Sequence, residues 1–246
     1  MTYLRRGIFV FGMIILLNGI AFARPFSVGI LQRAEIDQGL TLGGNLGVGG
    51  WPGNWVGLGV SAVGEYGFSG EETKDSFSLN NLAAGFSITH NRTAFLGDKY
   101  QGEEYVWRWN MYKFGPYAKY EILDPEKSSN ILGDWAQLYF SAAAGFKINI
   151  SSASLDWEDY GKKRYLNRGP YSNTFMVDLL LLADYSLSNV VDDGFLNDVT
   201  LTLGMGLANN RFASSITAWY DADVVQISVG YKPMLGIEVG IAVPIK

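Results

Sequence analysis

The chain holds a single histidine, His90, and no cysteine. Thiolate nucleophiles, thiolate metal ligands and disulfides are therefore excluded. A hydrolytic site would have to be built on His90 with a serine, threonine or carboxylate in support. Ser87, Thr89 and Thr93 lie nearby in sequence, but none stands in the spacing of a known nucleophile motif. The plain reading of His90 is a rim residue at the end of a strand, before a long segment. One histidine with scattered carboxylates is not metal-ligand spacing, so no metal and no other cofactor is expected. Gly43 to Gly50, GGNLGVGG, looks superficially like a phosphate loop. The fingerprint needs a strand before it and a helix after it, and here a turn, Trp51-Pro52-Gly53-Asn54, comes next. With a net charge of −5, a nucleic-acid partner is not expected, since that needs clustered Lys and Arg.

The remaining ionisable candidates make sense only inside a repeating element. Glu65, Lys147, Asp178, Asp184 and Glu238 each interrupt an alternating apolar segment on its polar face. Leu235, Ile237, Val239, Ile241, Val243 and Ile245 share one face, against Gly236, Glu238, Gly240 and Ala242. From Ala136 to Ile150 the apolar face includes Leu138, Phe140, Phe146 and Ile148, and the other includes Ser141, Ala143, Lys147 and Asn149. The same two-residue period runs through 56–68, 175–185, 199–207 and 225–231. Several of these segments run about 9–13 residues, the length a tilted strand needs to cross a bilayer, and longer than the roughly 5–6 residues of an ordinary strand. Their polar faces hold Gly, Ala, Ser and Thr and few charges, which suits the inside of a narrow barrel. Charged residues are only 17% of the chain and Gly reaches 30, against the Lys- and Glu-rich outer face of a soluble sandwich.

Strands expected at about 38–50, 55–68, 76–90, 105–122, 134–151, 172–187, 197–209, 211–221, 223–232 and 234–246 give about ten, with 8–12 open because 27–34 could add another. A bulge or kink is expected at Gly115-Pro116, where the aromatic face shifts. Residues 91–104 and 152–171 read as the long charged loops. An even strand number puts both on the side away from the termini. Trp51, Trp55, Trp107, Trp109 and Trp135 fall near strand ends, where interfacial aromatics belong.

The N-terminus reads as an export signal over residues 1–23, leaving residues 24–246 as one barrel domain. Arg5 and Arg6 are followed by the apolar run Gly7–Leu17 and by Ala21-Phe22-Ala23, so cleavage is expected before Arg24. The apolar run is about 15 residues, short of the roughly 20 of a spanning helix.

On these patterns residues 38–246 resemble small bacterial outer-membrane β-barrels as a class. The fold expected is all-β: a closed, antiparallel, up-and-down transmembrane barrel. The resemblance implies outer-membrane lipid and the barrel assembly machinery as partners, and a small solute or surface ligand for the lumen or loops. The function expected first is non-enzymatic: a structural barrel or a narrow, porin-like passive pore in the cell envelope. The alternatives are a surface-exposed binding protein acting through 91–104 and 152–171, a His90-dependent lipid-modifying enzyme, and a soluble periplasmic lipocalin-like barrel. The mature chain is expected to begin at Arg24 and to fractionate with outer membranes. N-terminal sequencing of membrane-extracted protein checks this, and recovery from the soluble periplasm would overturn it.

Overall fold

The computed structural model describes residues 30–246 apart from 52–54, 70–78, 101–102, 125–137, 160–161, 190–193, 209–210, 223, 233–235 and 246, and leaves the side chains of 50–56, 95–107, 109, 153–174, 211–213 and 231–235 undescribed. The expected signal sequence and cleavage point lie outside these residues.

Ten antiparallel strands close into a barrel: β1 (Gly39–Trp51), β2 (Trp55–Gly67), β3 (Leu82–Tyr100), β4 (Glu103–Leu123), β5 (Leu138–Asp159), β6 (Lys162–Ser186), β7 (Val199–Ala208), β8 (Arg211–Ala222), β9 (Val225–Lys232) and β10 (Gly236–Ile245). Each strand pairs with its sequence neighbours. The seam is the β1–β10 ladder, from Leu40 opposite Ile245 to Val48 opposite Ile237. Both ends of the barrel chain therefore lie at one mouth, the terminal mouth. GGNLGVGG is strand, paired on both sides in β1.

The two-residue period sorts side chains into an outside and a lumen. Leu42, Leu46, Ile88, Phe146, Val177, Val229 and Val239 are exposed outside. Ser61, Ser87, Thr89, Asn91, Ser141, Lys147, Asn149, Thr202, Thr217 and Ser228 are buried inside. On β3 the outward residues stay apolar from Leu82 to Ile88, reach His90, and then turn to Arg92. On β4 they run from Ile122 to Tyr112 before Asn110, on β5 from Leu138 to Ile150 before Ser152, and on β6 from Tyr185 to Phe175. The ladder places Arg92 opposite Asn110, and Asn110 opposite Ser152. The apolar belt is thus about ten residues of strand high and ends on a polar line.

Above that line the expected loops are strands. β3, β4, β5 and β6 have 19, 21, 22 and 25 residues, whereas the others have 8 to 13. Residues 91–104 and 152–171 fall mostly in the ladders β3–β4 and β5–β6, which continue to Tyr100 opposite Glu103 and Asp159 opposite Lys162. Sequence charge marks these segments as loops, but cross-strand pairing satisfies their backbone while the side chains stay polar. β6 meets β7 only from Leu179 to Ser186, so β3–β6 rise past the far mouth as an open four-stranded sheet.

Two further expectations are corrected. β4 keeps one register across Gly115-Pro116, and its irregularity against β5 falls between Glu121 and Leu123. Residues 30–34, the described part of the segment 27–34 that could have been an extra strand, form no strand. They enter the lumen instead. Gly115 is required by a close approach: a Cβ there would run into the backbone carbonyl of Phe146. At Gly44 the nearest atom to an added Cβ, the Ser61 carbonyl oxygen, is 3.5 Å away, an ordinary contact. Gly115→Ala should therefore destabilise the detergent-refolded barrel by about 1–3 kcal/mol, and Gly44→Ala by much less. Urea unfolding followed by tryptophan fluorescence reads the difference; equal midpoints would contradict it.

Candidate functional site

The lumen is where the charged residues meet. Glu65, Lys147, Asp178, Asp184 and Glu238 are all buried inside the barrel. They do not form one cluster but several separate centres. Each centre follows from strand parity, which turns a single residue of each strand inward at a given height.

Near the terminal mouth Asp184 of β6, 1% exposed, is the main acceptor. The backbone N–H groups of Ala34 and Glu35 donate to it at 2.9 and 3.1 Å. The Thr202 hydroxyl donates at 2.6 Å, and the Arg33 guanidinium stands 3.9 Å away. Arg33 also pairs with Glu35 and lies 3.6 Å from Asp221. These contacts are the docking of residues 30–38 into the barrel. The Ile36 N–H donates to Glu121 at 3.1 Å, and Ser141 donates to the Ala34 carbonyl. Trp219 Nε1 donates to the Gln32 carbonyl at 2.9 Å, and Ser215 Oγ to Gln32 Oε1 at 2.9 Å. Ile30 and Leu31 complete the inner packing with Val63, Tyr117 and Leu180. Gly43 makes room for Leu31, since a Cβ would lie 3.3 Å from Leu31 Cδ1. Gln38 bridges Gly67 at the mouth, so the chain enters there and runs inward as its numbers fall.

The second centre joins β2 to β4: Lys119 Nζ donates to Glu65 at 2.7 Å, and Tyr117 Oη donates to the other carboxylate oxygen at 2.7 Å. Further towards the far mouth Lys147 of β5 pairs with Asp178 of β6. Across the seam Asn45 of β1 donates to Glu238 of β10 at 2.5 Å. Each buried carboxylate has a cation or a donor beside it, as a poorly hydrated interior demands.

His90 is not at the rim. It lies within β3 on the outer face, opposite Tyr112, with ring centroids 4.4 Å apart and planes 11° from parallel. Ser87, Thr89 and Thr93 point into the lumen, so strand parity separates these three hydroxyls from the imidazole. Among the described residues no three His, Asp or Glu groups gather in metal-ligand geometry.

Of the tryptophans, Trp51 stands opposite Trp55 at the end of the β1–β2 hairpin, and Trp107 and Trp109 lie on β4. Their side chains, and all of Trp135, lie outside the description. Trp219 is a lumen residue, 2% exposed, and not a girdle residue. The aromatics outside near the terminal mouth include Tyr66 edge-on to Phe68, at 5.5 Å, and Phe195 stacked on Tyr220, at 5.0 Å. Sequence reasoning missed the docking role of Gln32, Arg33, Glu121 and Trp219. The one signal available was an arginine in a short stretch just before the first regular strand.

Lys147→Ala should deprive Asp178, which is fully buried, of the cation paired with it. Breaking a buried pair by removing one partner costs about 3–5 kcal/mol. Replacing both, Lys147→Met with Asp178→Leu, should cost less than the single change. Unfolding free energies of the three proteins in micelles test this, and a double variant as weak as the single one would refute it.

No family model and no curated protein matches the chain. Among solved structures it is similar to Ail, the attachment invasion locus protein of Yersinia pestis, at 9% identity and a TM-score of 0.29, over 84% of this chain and 95% of that one. It is also similar to the translocator domain of the autotransporter NalP from Neisseria meningitidis, at 11% identity and a TM-score of 0.32, over 86% of this chain and 90% of that one. At such identities and scores neither likeness adds to what the barrel's own geometry shows.

Proposed function

We propose that the chain is a bacterial outer-membrane barrel that catalyses no reaction, is closed by its own N-terminal segment, and acts as a rigid anchor for a surface sheet. The segment docked in the lumen carries this reading. A passive pore needs a continuous wet path, and here Ile30, Leu31, Gln32, Arg33 and Ala34 are buried inside the barrel. They are held by Asp184, Ser141, Ser215 and Trp219.

Membrane placement is supported by the belt. A soluble barrel would not expose Leu42, Ile88, Phe146, Val177, Val229 and Val239 around its girth. Hydrocarbon requires a closed sheet, and the ten strands close into one barrel, with β6 paired to β7 up to Leu179 within the belt. The belt's height of about ten residues matches a tilted spanning strand. The start of β1 and the end of β10 lie at one mouth, taken as the periplasmic side from which an exported chain inserts. The β3–β6 sheet then stands outside the cell, built by the segments 91–104 and 152–171, and offers the surface for a ligand.

The barrel should insert into planar bilayers and show no steady conductance at moderate voltage. Persistent, ohmic channels from the intact chain would overturn the closed-lumen reading and favour a narrow porin. Failure to insert at all would overturn the membrane placement.

A further inference from the structure

The segment docked in the lumen is held differently from any strand of the wall. Among the described residues its one backbone pairing to the wall is the bridge from Gln38 to Gly67 at the terminal mouth. Further in, wall side chains hold it. Asp184 accepts from the N–H groups of Ala34 and Glu35, and Glu121 from that of Ile36. Trp219 and Ser141 donate to the carbonyls of Gln32 and Ala34. The ten strands close on one another without it, so it can leave while the wall stays intact. Acids are in excess where it meets that wall. Arg33, 4% exposed, serves Glu35 of its own segment, Asp184 of β6 at 3.9 Å and Asp221 of β8 at 3.6 Å. Asp37 adds a further negative charge to the same group. Asp184 has other donors, whereas among the described residues Glu35 has Arg33 alone.

We propose that residues 30–38 form a proton-latched plug: with a proton on Glu35 the segment stays docked, and without it the segment withdraws through the terminal mouth and small ions pass through the lumen. The inference rests on the closed-lumen reading above. Burial holds the Glu35 carboxyl above the ordinary glutamate range, and Asp37, Asp184 and Asp221 add to the rise, against the opposing pull of Arg33. Docking therefore takes up a proton. It is favoured below the ordinary glutamate range and weakens as the pH rises through the raised docked value. The Glu35 side chain keeps 34% of its exposure, so a proton can reach it from the mouth. Withdrawal returns Glu35 to water. It also uncovers Thr41, Ser61, Ser141, Thr202, Thr217 and Ser228, small polar residues of the lumen that water and ions can wet. The one histidine, His90, stacks on Tyr112 on the outer face, so no imidazole titrates at the plug.

The test records single channels from the intact chain in planar bilayers, at about pH 5 and about pH 8. Wild type should stay closed at the lower pH and open briefly at the higher, with open probability rising about tenfold. Glu35→Gln keeps the size and an acceptor for Arg33 but carries no charge, and should stay closed at both. Heat-dependent gel migration confirms that the variant is a folded barrel. A second readout follows the plug itself. Ala34 is fully buried and the chain has no cysteine, so Ala34→Cys reports withdrawal. At about pH 8 a maleimide should label it about tenfold faster than in the Ala34→Cys, Glu35→Gln protein. Equal labelling of the two would overturn the latch, as would a pH response that survives Glu35→Gln. Persistent conduction by wild type at both pH values would remove the closed-lumen reading, whereas a barrel closed at both would remove only the latch.

Discussion

Closure between β1 and β10 sets the terms for everything else. Once Leu40 to Val48 pair with Ile245 to Ile237, the sheet closes on itself and most of the backbone at belt height is satisfied without water. The same closure creates a narrow interior of fixed size. Ten strands leave only a little more room than the eight that side chains alone fill. Whatever points inward must therefore fit and must have its charge matched, because little bulk water is there to solvate it. Glycine at 43, 115 and 145 answers the fitting problem, since a Cβ at each would press on Val63, Phe146 or Tyr117. Lys119 beside Glu65 and Lys147 beside Asp178 answer the charge problem.

Asp184 shows why strand pairing alone does not complete the interior. The barrel supplies it with one donor, the Thr202 hydroxyl. The rest come from residues 33–35: two backbone N–H groups and a guanidinium. An extended segment with unpaired N–H groups and a barrel wall with an under-coordinated carboxylate solve each other's problem. Trp219 fits the same account. Its large ring suits a core, and its indole N–H needs an acceptor when buried, which the Gln32 carbonyl provides. The N-terminal segment is thus part of the lumen's electrostatic balance and not a tail that happens to rest there.

How far this was legible in the sequence depends on the range of the interaction. Strand alternation is local, so the belt residues Leu138, Phe146, Val229 and Val239 and the inward placement of Lys147, Asp178 and Glu238 followed from period alone. Pairings across strands are not local. Nothing in the residue order singles out Asp178, among the lumen acids, as the partner of Lys147, since only register brings them together. His90 looked like a rim residue because polar sequence follows it, yet β3 continues through that polar stretch to Tyr100. The segments 91–104 and 152–171 misled for the same reason. Charge and glycine mark solvent exposure, and exposure is shared by loops and by strands that have risen past the apolar belt. Residues 30–38 gave the weakest signal, since a segment that folds only against a finished wall carries no period of its own.

The asymmetry of the two mouths follows from which strands overrun the belt. At the terminal mouth the strands stop near the end of the apolar surface, and three of the four connections, 68–81, 124–137 and 187–198, are longer, while 223–224 is short. At the far mouth the connections are short, and reach is gained by extending β3–β6 as ladders. A flexible loop of equal length would lose more chain entropy on meeting a partner. A ladder has already given that entropy up on folding, and it transmits the barrel's rigidity to its tip. An open sheet above the belt also has a cost, because its β6 edge runs beyond Leu179 without β7 beside it. That stretch of the sequence carries Lys162, Lys163, Arg164, Arg168 and Pro170, residue types that discourage unplanned strand addition. Rigidity at the tip and protection along the edge are what a surface held out for recognition requires, and a barrel built only to fill a membrane needs neither.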